Sequence, residues 1–218
     1  MKKFSRLKFA FGIGLILCFV VWTSLVLFVD KKPIGPLDSF VGFASLNGWF
    51  HSLMGVHMWL YNLTDLLGII PFAVAFFFAV LGLIQLIKRK SLLKVDFDIL
   101  MLGIYYLCVI FTYVLFEIIV INYRPVLIEG ALELSYPSST TLLALSVMVS
   151  SIFQTRKRIK QKGLKILIVS LISIFTVFMV VGRLISGVHW LSDIIGGTII
   201  SGGFIMIYSA IYKINFKK

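Results

Sequence analysis

Six apolar runs divide the chain, at about 9–29, 66–87, 99–121, 139–155, 164–182 and 194–212. A helix needs roughly 20 apolar residues to cross the hydrocarbon of a bilayer, and the first run has 21, while the fourth and fifth are short. At this length only helices satisfy their own backbone hydrogen bonds in lipid. The pattern predicts an all-α fold, a six-helix transmembrane bundle forming one integral membrane domain over 1–218. The segment between the first two runs, from Asp30 to Asp65, is rich in aromatic and apolar residues, among them Phe40, Phe43, Trp49 and Trp59. A solvated loop has no use for so many rings, so an interfacial segment lying on the membrane is predicted here, with a lid over a site as the related reading.

Composition reinforces this. Of 218 residues, 60% are hydrophobic and 14% charged, and the mean hydropathy is +1.03. A soluble domain of this size could not bury that much apolar surface in one core. The first run follows Lys2, Lys3, Arg6 and Lys8 and is followed by no small-residue cleavage site. It is read as a retained anchor rather than a signal peptide. Cys18 and Cys108 each lie mid-way along an apolar run, where they are expected to be buried small hydrophobes, neither disulfide-bonded nor metal-bound.

The formal charge of +12 comes in short blocks between the apolar runs. No continuous basic face can form from such blocks, so a nucleic-acid partner is not expected. The blocks instead report sidedness. With both termini and the second and fourth loops on one side, that side holds 17 of the 21 basic residues. The other side holds Lys31, Lys32, Arg124 and Arg183. The excess of Lys and Arg places the N- and C-termini in the cytoplasm of a cell-membrane protein.

Both outer arginines end apolar runs, Arg124 in Asn122-Tyr123-Arg124-Pro125 and Arg183 in Gly182-Arg183-Leu184-Ile185-Ser186-Gly187. At the same level the fourth run opens with Tyr136-Pro137-Ser138-Ser139-Thr140-Thr141. Three segments distant in sequence are therefore predicted to meet at the outer boundary. Guanidinium forks match phosphate oxygens, and a helix start offers free N–H groups to an anion. His189 and Asp193 are four apart at the opening of the last run. That spacing puts both on one face, where the carboxylate can hold the imidazole in one tautomer. An oriented histidine beside an anion site is a candidate nucleophile or base.

These residues resemble the signatures of the type-2 phosphatidic acid phosphatases, or lipid phosphate phosphatases. Arg183-x5-His189-x3-Asp193 is similar to the third signature, Arg124-Pro125 to the end of the first and Pro137-Ser138 to the start of the second, over about the last 120 residues. The resemblance implies a six-helix membrane fold, no metal and no cofactor. It further implies His189 attacking phosphorus, Asp193 orienting it, and Arg124, Arg183 and Ser138 around the phosphate; Ser139, at the same helix start, is a further phosphate-binding candidate. The substrate would be a membrane lipid phosphate or diphosphate, hydrolysed at the outer face through a phosphohistidine. Three departures are clear. Glu117 stands where the family has Lys, Ser139 and Thr140 replace Gly-His, and Gly182 replaces Ser. The family's second-signature His protonates the leaving group, a contribution of about 10²–10⁴ in rate. Its absence predicts a preference for diphosphates or other stable leaving groups.

Glu117 and Thr140 are candidate auxiliary residues. An acid inside a span is a functional candidate by default, and Glu117 would pair with Arg124 or Arg183 across two helical turns or supply the missing proton. His51 and His57 could reach over the site as substitute acids, with interfacial packing as their plainer role. Gly196-Gly197 and Gly202-Gly203 are expected to allow close helix packing. Two other functions remain open on the sequence: a phosphotransferase using another lipid or sugar acceptor, and a catalytically degenerate relative that binds lipid or assists a partner protein.

Overall fold

The computed structural model describes residues 3–215. Lys2, Lys217 and Lys218, counted above with the inner basic group, lie outside the described residues, as does the side chain of Lys213. The elements run α1 (Lys3–Phe28), α2 (Ala44–Met54), α3 (Met58–Leu67), α4 (Ile69–Arg89), α5 (Phe97–Phe116), α6 (Ser139–Leu143), a π-helical turn (Ala144–Met148), α7 (Val149–Arg158), α8 (Lys162–Ile185) and α9 (Leu191–Asn215). No strand is formed among the described residues; three isolated antiparallel bridges occur in the loops.

Among the described residues five helical stretches are long and apolar enough to cross a membrane. The sixth expected span is the run from α6 through α7. It is interrupted by the π turn and lined by Ser146, Ser150, Ser151 and Gln154, all buried. Because protein rather than lipid surrounds it, it can carry polar groups that a lipid-facing helix cannot. The Ser151 hydroxyl donates to the Met148 carbonyl at 2.7 Å within the run, the Ser146 hydroxyl is left without a hydrogen-bond partner, and the neighbouring helices supply the rest. Tyr105 Oη donates to the Ser146 carbonyl at 3.0 Å, Tyr106 and Ser150 share a hydrogen bond at 3.1 Å, and Gln154 Nε2 donates to Tyr208 Oη at 2.7 Å. This polarity is what makes the run look short in the sequence.

α9 packs along α1, and glycines set the distance. A methyl on Gly12 would lie 2.7 Å from the Ile207 side chain, and one on Gly203 would lie 2.9 Å from that of Ile16. Small residues at such crossings let helix backbones approach, the role expected of the second glycine pair. Gly196 and Gly197 serve differently, giving room to the Tyr136 ring and the Ser138 carbonyl. Cys18 and Cys108 are free and exposed on the outside of the bundle. This corrects the expectation of burial, since an apolar run does not say which of its faces meets lipid.

α5 ends at Phe116, short of the apolar run that extends to Ile121. Ile118, Ile119 and Val120 continue the hydrophobic pattern but sit exposed in a turn. Beyond them the chain folds back on itself. Tyr123 pairs with Leu134 and Ile128 with Ala131, around a two-residue turn at Glu129–Gly130 where both φ angles are positive (50° and 80°). Such turns favour glycine and match the twist of a tight hairpin. The segment between α1 and α4 is filled by α2 and α3. These expose Trp49, Leu53, Trp59 and Leu66 and bury Asn47, Tyr61 and Thr64 against the rest of the protein.

Candidate active site

The ends of α1, α5 and α8 and the starts of α4, α6 and α9 share one end of the bundle, and the site residues gather there. The hairpin delivers Arg124 on one arm and Glu133 and Ser135 on the other, held by Arg124 N to Glu133 O at 2.9 Å and Ser135 N to Asn122 O at 3.0 Å. The α8–α9 turn delivers His189. Gly187 in that turn has φ 67°, and a methyl there would lie 1.9 Å from the Gly55 carbonyl, so the turn abuts the α2–α3 turn. His57 N donates to Ser186 O at 2.9 Å across the same contact. Asn47 fastens α2 to α9 by exchanging hydrogen bonds with Ser192, 2.9 and 3.1 Å.

His189 is buried. Its Nδ1 lies 3.1 Å from the Ser135 carbonyl and its Nε2 lies 3.1 Å from Arg124 Nη1. A carbonyl only accepts and a guanidinium only donates, so the proton belongs on Nδ1 and the lone pair on Nε2. Burial, reinforced by the charges of Arg124 and Arg183, pushes the imidazole well below its usual range, which also favours this neutral form. Asp193 Oδ2 is 3.8 Å from Nδ1 and accepts the Trp190 N–H at 2.9 Å. The carboxylate thus ties down the first turn of α9, as the acidic member of a capping box does. The nearer partner of the histidine proton is a backbone carbonyl.

Arg183 is buried, with Nη2 donating at 2.7 Å both to Asp65 Oδ1, from α3, and to Thr140 Oγ1. Arg124 Nε faces Glu133 Oε2 at 3.0 Å. That contact is an ion pair by distance but is poorly aligned for a hydrogen bond, and the Nε groups of both arginines are without a hydrogen-bond acceptor. The Tyr61 ring lies under both guanidiniums, its centroid 4.7 Å from Arg183 and 5.5 Å from Arg124. The two cations therefore converge, as expected for an anion site.

The second segment joins them through Ser138 N, which donates to the Asp193 carbonyl at 3.1 Å. Ser138 is fully buried, and its Oγ accepts from Thr141 N at 3.4 Å as the helix cap. Ser139 and Thr140 are half-buried and reach two hollows. A crevice of about 10 Å³ is lined by His189, Ser135, Glu117, Tyr113 and Ser139, among others. That is room for about one water. A cavity of about 330 Å³ is lined by Asp65, Thr140, Ser139 and Tyr113 together with Ile69, Pro71, Phe72 and Leu143.

Glu117 is not within a helix two turns below Arg124, because α5 ends at the preceding residue. It is exposed, and none of the described ion pairs joins it to Arg124 or Arg183. Asp65 and Glu133 take those places. Nor do His51 and His57 line either hollow. His51 Nε2 meets the Gly187 carbonyl at 3.1 Å, and His57 Nε2 meets the Met54 carbonyl at 3.0 Å. Among the described residues no cluster of three or more His, Cys, Asp or Glu side chains suits a metal ion. The sequence reading missed Asp65, although an acid at the mouth of an apolar run was a signal. It also missed Ser135, whose contribution comes from its backbone and carries no sequence signal.

Comparison with known proteins agrees with this architecture. The fold is similar to a crystal structure described as the first transmembrane PAP2 type phosphatidylglycerolphosphate phosphatase from Bacillus subtilis, with a TM-score of 0.59 at 17% identity, over 95% of this chain and 97% of that one. No curated protein matches the sequence significantly. The family profile described as PAP2 superfamily matches residues 119–217, which span the hairpin, the α6 start and the α8–α9 turn. The three signature segments thus lie within the stretch that matches the PAP2 superfamily model, on a fold similar to that of a PAP2 type phosphatase.

Proposed function

We propose that this protein is a lipid phosphatase of the cell membrane, cleaving a phospholipid or polyprenyl phosphate or diphosphate at the outer face through a phosphohistidine. The observation that carries the reading is the setting of His189: a buried imidazole with Nδ1 3.1 Å from the Ser135 carbonyl and Nε2 3.1 Å from one of two converging guanidiniums. A scaffold has no use for a histidine held this way; a nucleophile requires it. In the reaction the phosphate takes Arg124 away from Nε2, and the freed lone pair attacks phosphorus. Arg124 and Arg183 stabilise the charge on the phosphoryl oxygens. Ser139 and Thr140 line the approach. Ser138 and Asp193 hold the backbone that carries these groups. Water then hydrolyses the phosphohistidine. The outer-face placement follows from the basic blocks at the opposite ends of the helices.

The degenerate, lipid-binding reading draws support from Glu117 and Thr140 in place of a cation and an acid, and from the carboxylates already seated on both arginines. One assay separates the two. Detergent-purified protein is offered phosphatidate, phosphatidylglycerophosphate and polyprenyl diphosphate, with His189→Ala as control. Phosphate release from at least one lipid is expected, falling about 10⁴-fold or more in the variant. Release from none, or equal release by the variant, removes the enzyme reading.

A further inference from the structure

The acid that the second signature lacks has a substitute in space. We infer that Asp65, on α3, protonates the leaving lipid oxygen; this deepens the phosphatase reading and rests on it. The Asp65 carboxylate and the Thr140 hydroxyl each lie 2.7 Å from the same Arg183 nitrogen. A carboxylate is therefore within one side chain's reach of the position where the resemblance leads one to expect a histidine.

The direction is also right. Phosphoryl transfer places the attacking and leaving atoms roughly in line, so the leaving oxygen departs from the side of phosphorus away from His189. His189 lines the small crevice, whereas Asp65 and Thr140 line the larger cavity, and Ser139 and Tyr113 form the wall common to both. Glu117 is on the crevice side with the nucleophile, which places it poorly for the outgoing oxygen. The larger cavity also has an apolar flank, Ile69, Phe72 and Leu143, suited to the lipid that the leaving oxygen carries. The side chain of Asp65 is 59% exposed while that of Arg183 is 1% exposed. The carboxylate can thus exchange protons with water and swing aside, while the guanidinium is fixed.

The steps balance. An arriving phosphate competes with the Asp65 carboxylate for one guanidinium. The phosphate ester arrives as its monoanion, and its proton passes to the carboxylate, so that no charge is created and the fork is left to the phosphate. As His189 Nε2 bonds to phosphorus, the phosphorus–oxygen ester bond breaks, its electron pair goes to oxygen, and Asp65 donates its proton there to give the lipid alcohol. In the second step Asp65 accepts a proton from the attacking water as the nitrogen–phosphorus bond breaks and inorganic phosphate forms.

The test compares a long-chain alkyl phosphate, whose alkoxide needs a proton, with 4-nitrophenyl phosphate, whose phenolate does not. Asp65→Asn, which keeps the shape and a hydrogen bond to Arg183, is expected to shift the alkyl-to-aryl rate ratio down by about 10²-fold or more. Asp65→Glu is expected to keep most of the alkyl rate. Thr140→His added to Asp65→Asn is expected to recover at least about tenfold of it, which also shows that the variant folds. Equal losses on the two substrates, no loss on the alkyl ester, or a recovered fold without recovered alkyl rate overturns the assignment of Asp65. Full aryl activity in His189→Ala instead overturns the phosphohistidine reading, whatever Asp65 does.

Discussion

The two ends of the bundle pair their charges in opposite ways. At the end that carries the basic blocks, the inner end in the proposed orientation, the buried member is an acid. Asp98 is 6% exposed and holds Lys157 and Arg158, whose side chains are 31% and 28% exposed. At the outer end the buried members are cations, Arg183 and Arg124, and the exposed partners are the carboxylates Asp65 and Glu133. A buried charge needs a counter-ion, but an exposed counter-ion can be replaced by another of the same sign. At the inner end nothing but a cation could replace the lysine or arginine. At the outer end any anion with several oxygens can take the place of a carboxylate. The first arrangement fastens helices together; the second, on the proposed function, keeps a phosphate site assembled and solvated between turnovers.

If this contrast is correct, the largest effect belongs to the geometry of the outer cations. Arg183→Lys keeps the charge but loses the fork that reaches Asp65, Thr140 and the Tyr61 ring. A fall of about 10²–10³ in kcat/KM on the preferred lipid is expected, measured by phosphate release. A small change would make Arg183 a structural counter-ion like those of the inner end. Next in size is Asp98→Asn, which removes the carboxylate charge shared by Lys157 and Arg158. A loss of about 1–3 kcal/mol in stability is expected, discounted from the figure for wholly buried pairs because water reaches the cations. Thermal unfolding in detergent would show it, with activity per folded molecule retained; a drop in turnover without a drop in stability would mean that the two ends are coupled. The smallest effect is expected from Glu133→Gln. Its contact with Arg124 is misaligned and open to solvent, so KM should move less than about fivefold.

Much of this was legible in the sequence, for definite reasons. The apolar runs report the solvent, and Arg124, Ser138 and His189 had to share a level once those runs were laid antiparallel as helices. What escaped notice came from contacts without a periodic signal. The histidine's nearest anchor is the Ser135 carbonyl, available only because a hairpin follows α5, and apolar residues at 118–120 disguised that hairpin as more helix. Asp65 sat in a segment judged by its aromatic rings, which concealed that one face of it packs against the arginines. Glu117 looked like the natural partner of Arg124 only while the two were thought to share a helix.

The polar interior of the run from α6 through α7 bears on how the chain enters the bilayer. Serines, a glutamine and a basic tail make this segment a poor candidate to partition from the translocon alone. The tyrosines of α5 and α9 that satisfy it belong to neighbours made before and after it. Insertion of this segment is accordingly a collective event, begun with α5 as escort and completed only when Tyr208 of α9 has followed it. A ribosome that stalls before α9 leaves it half-chaperoned.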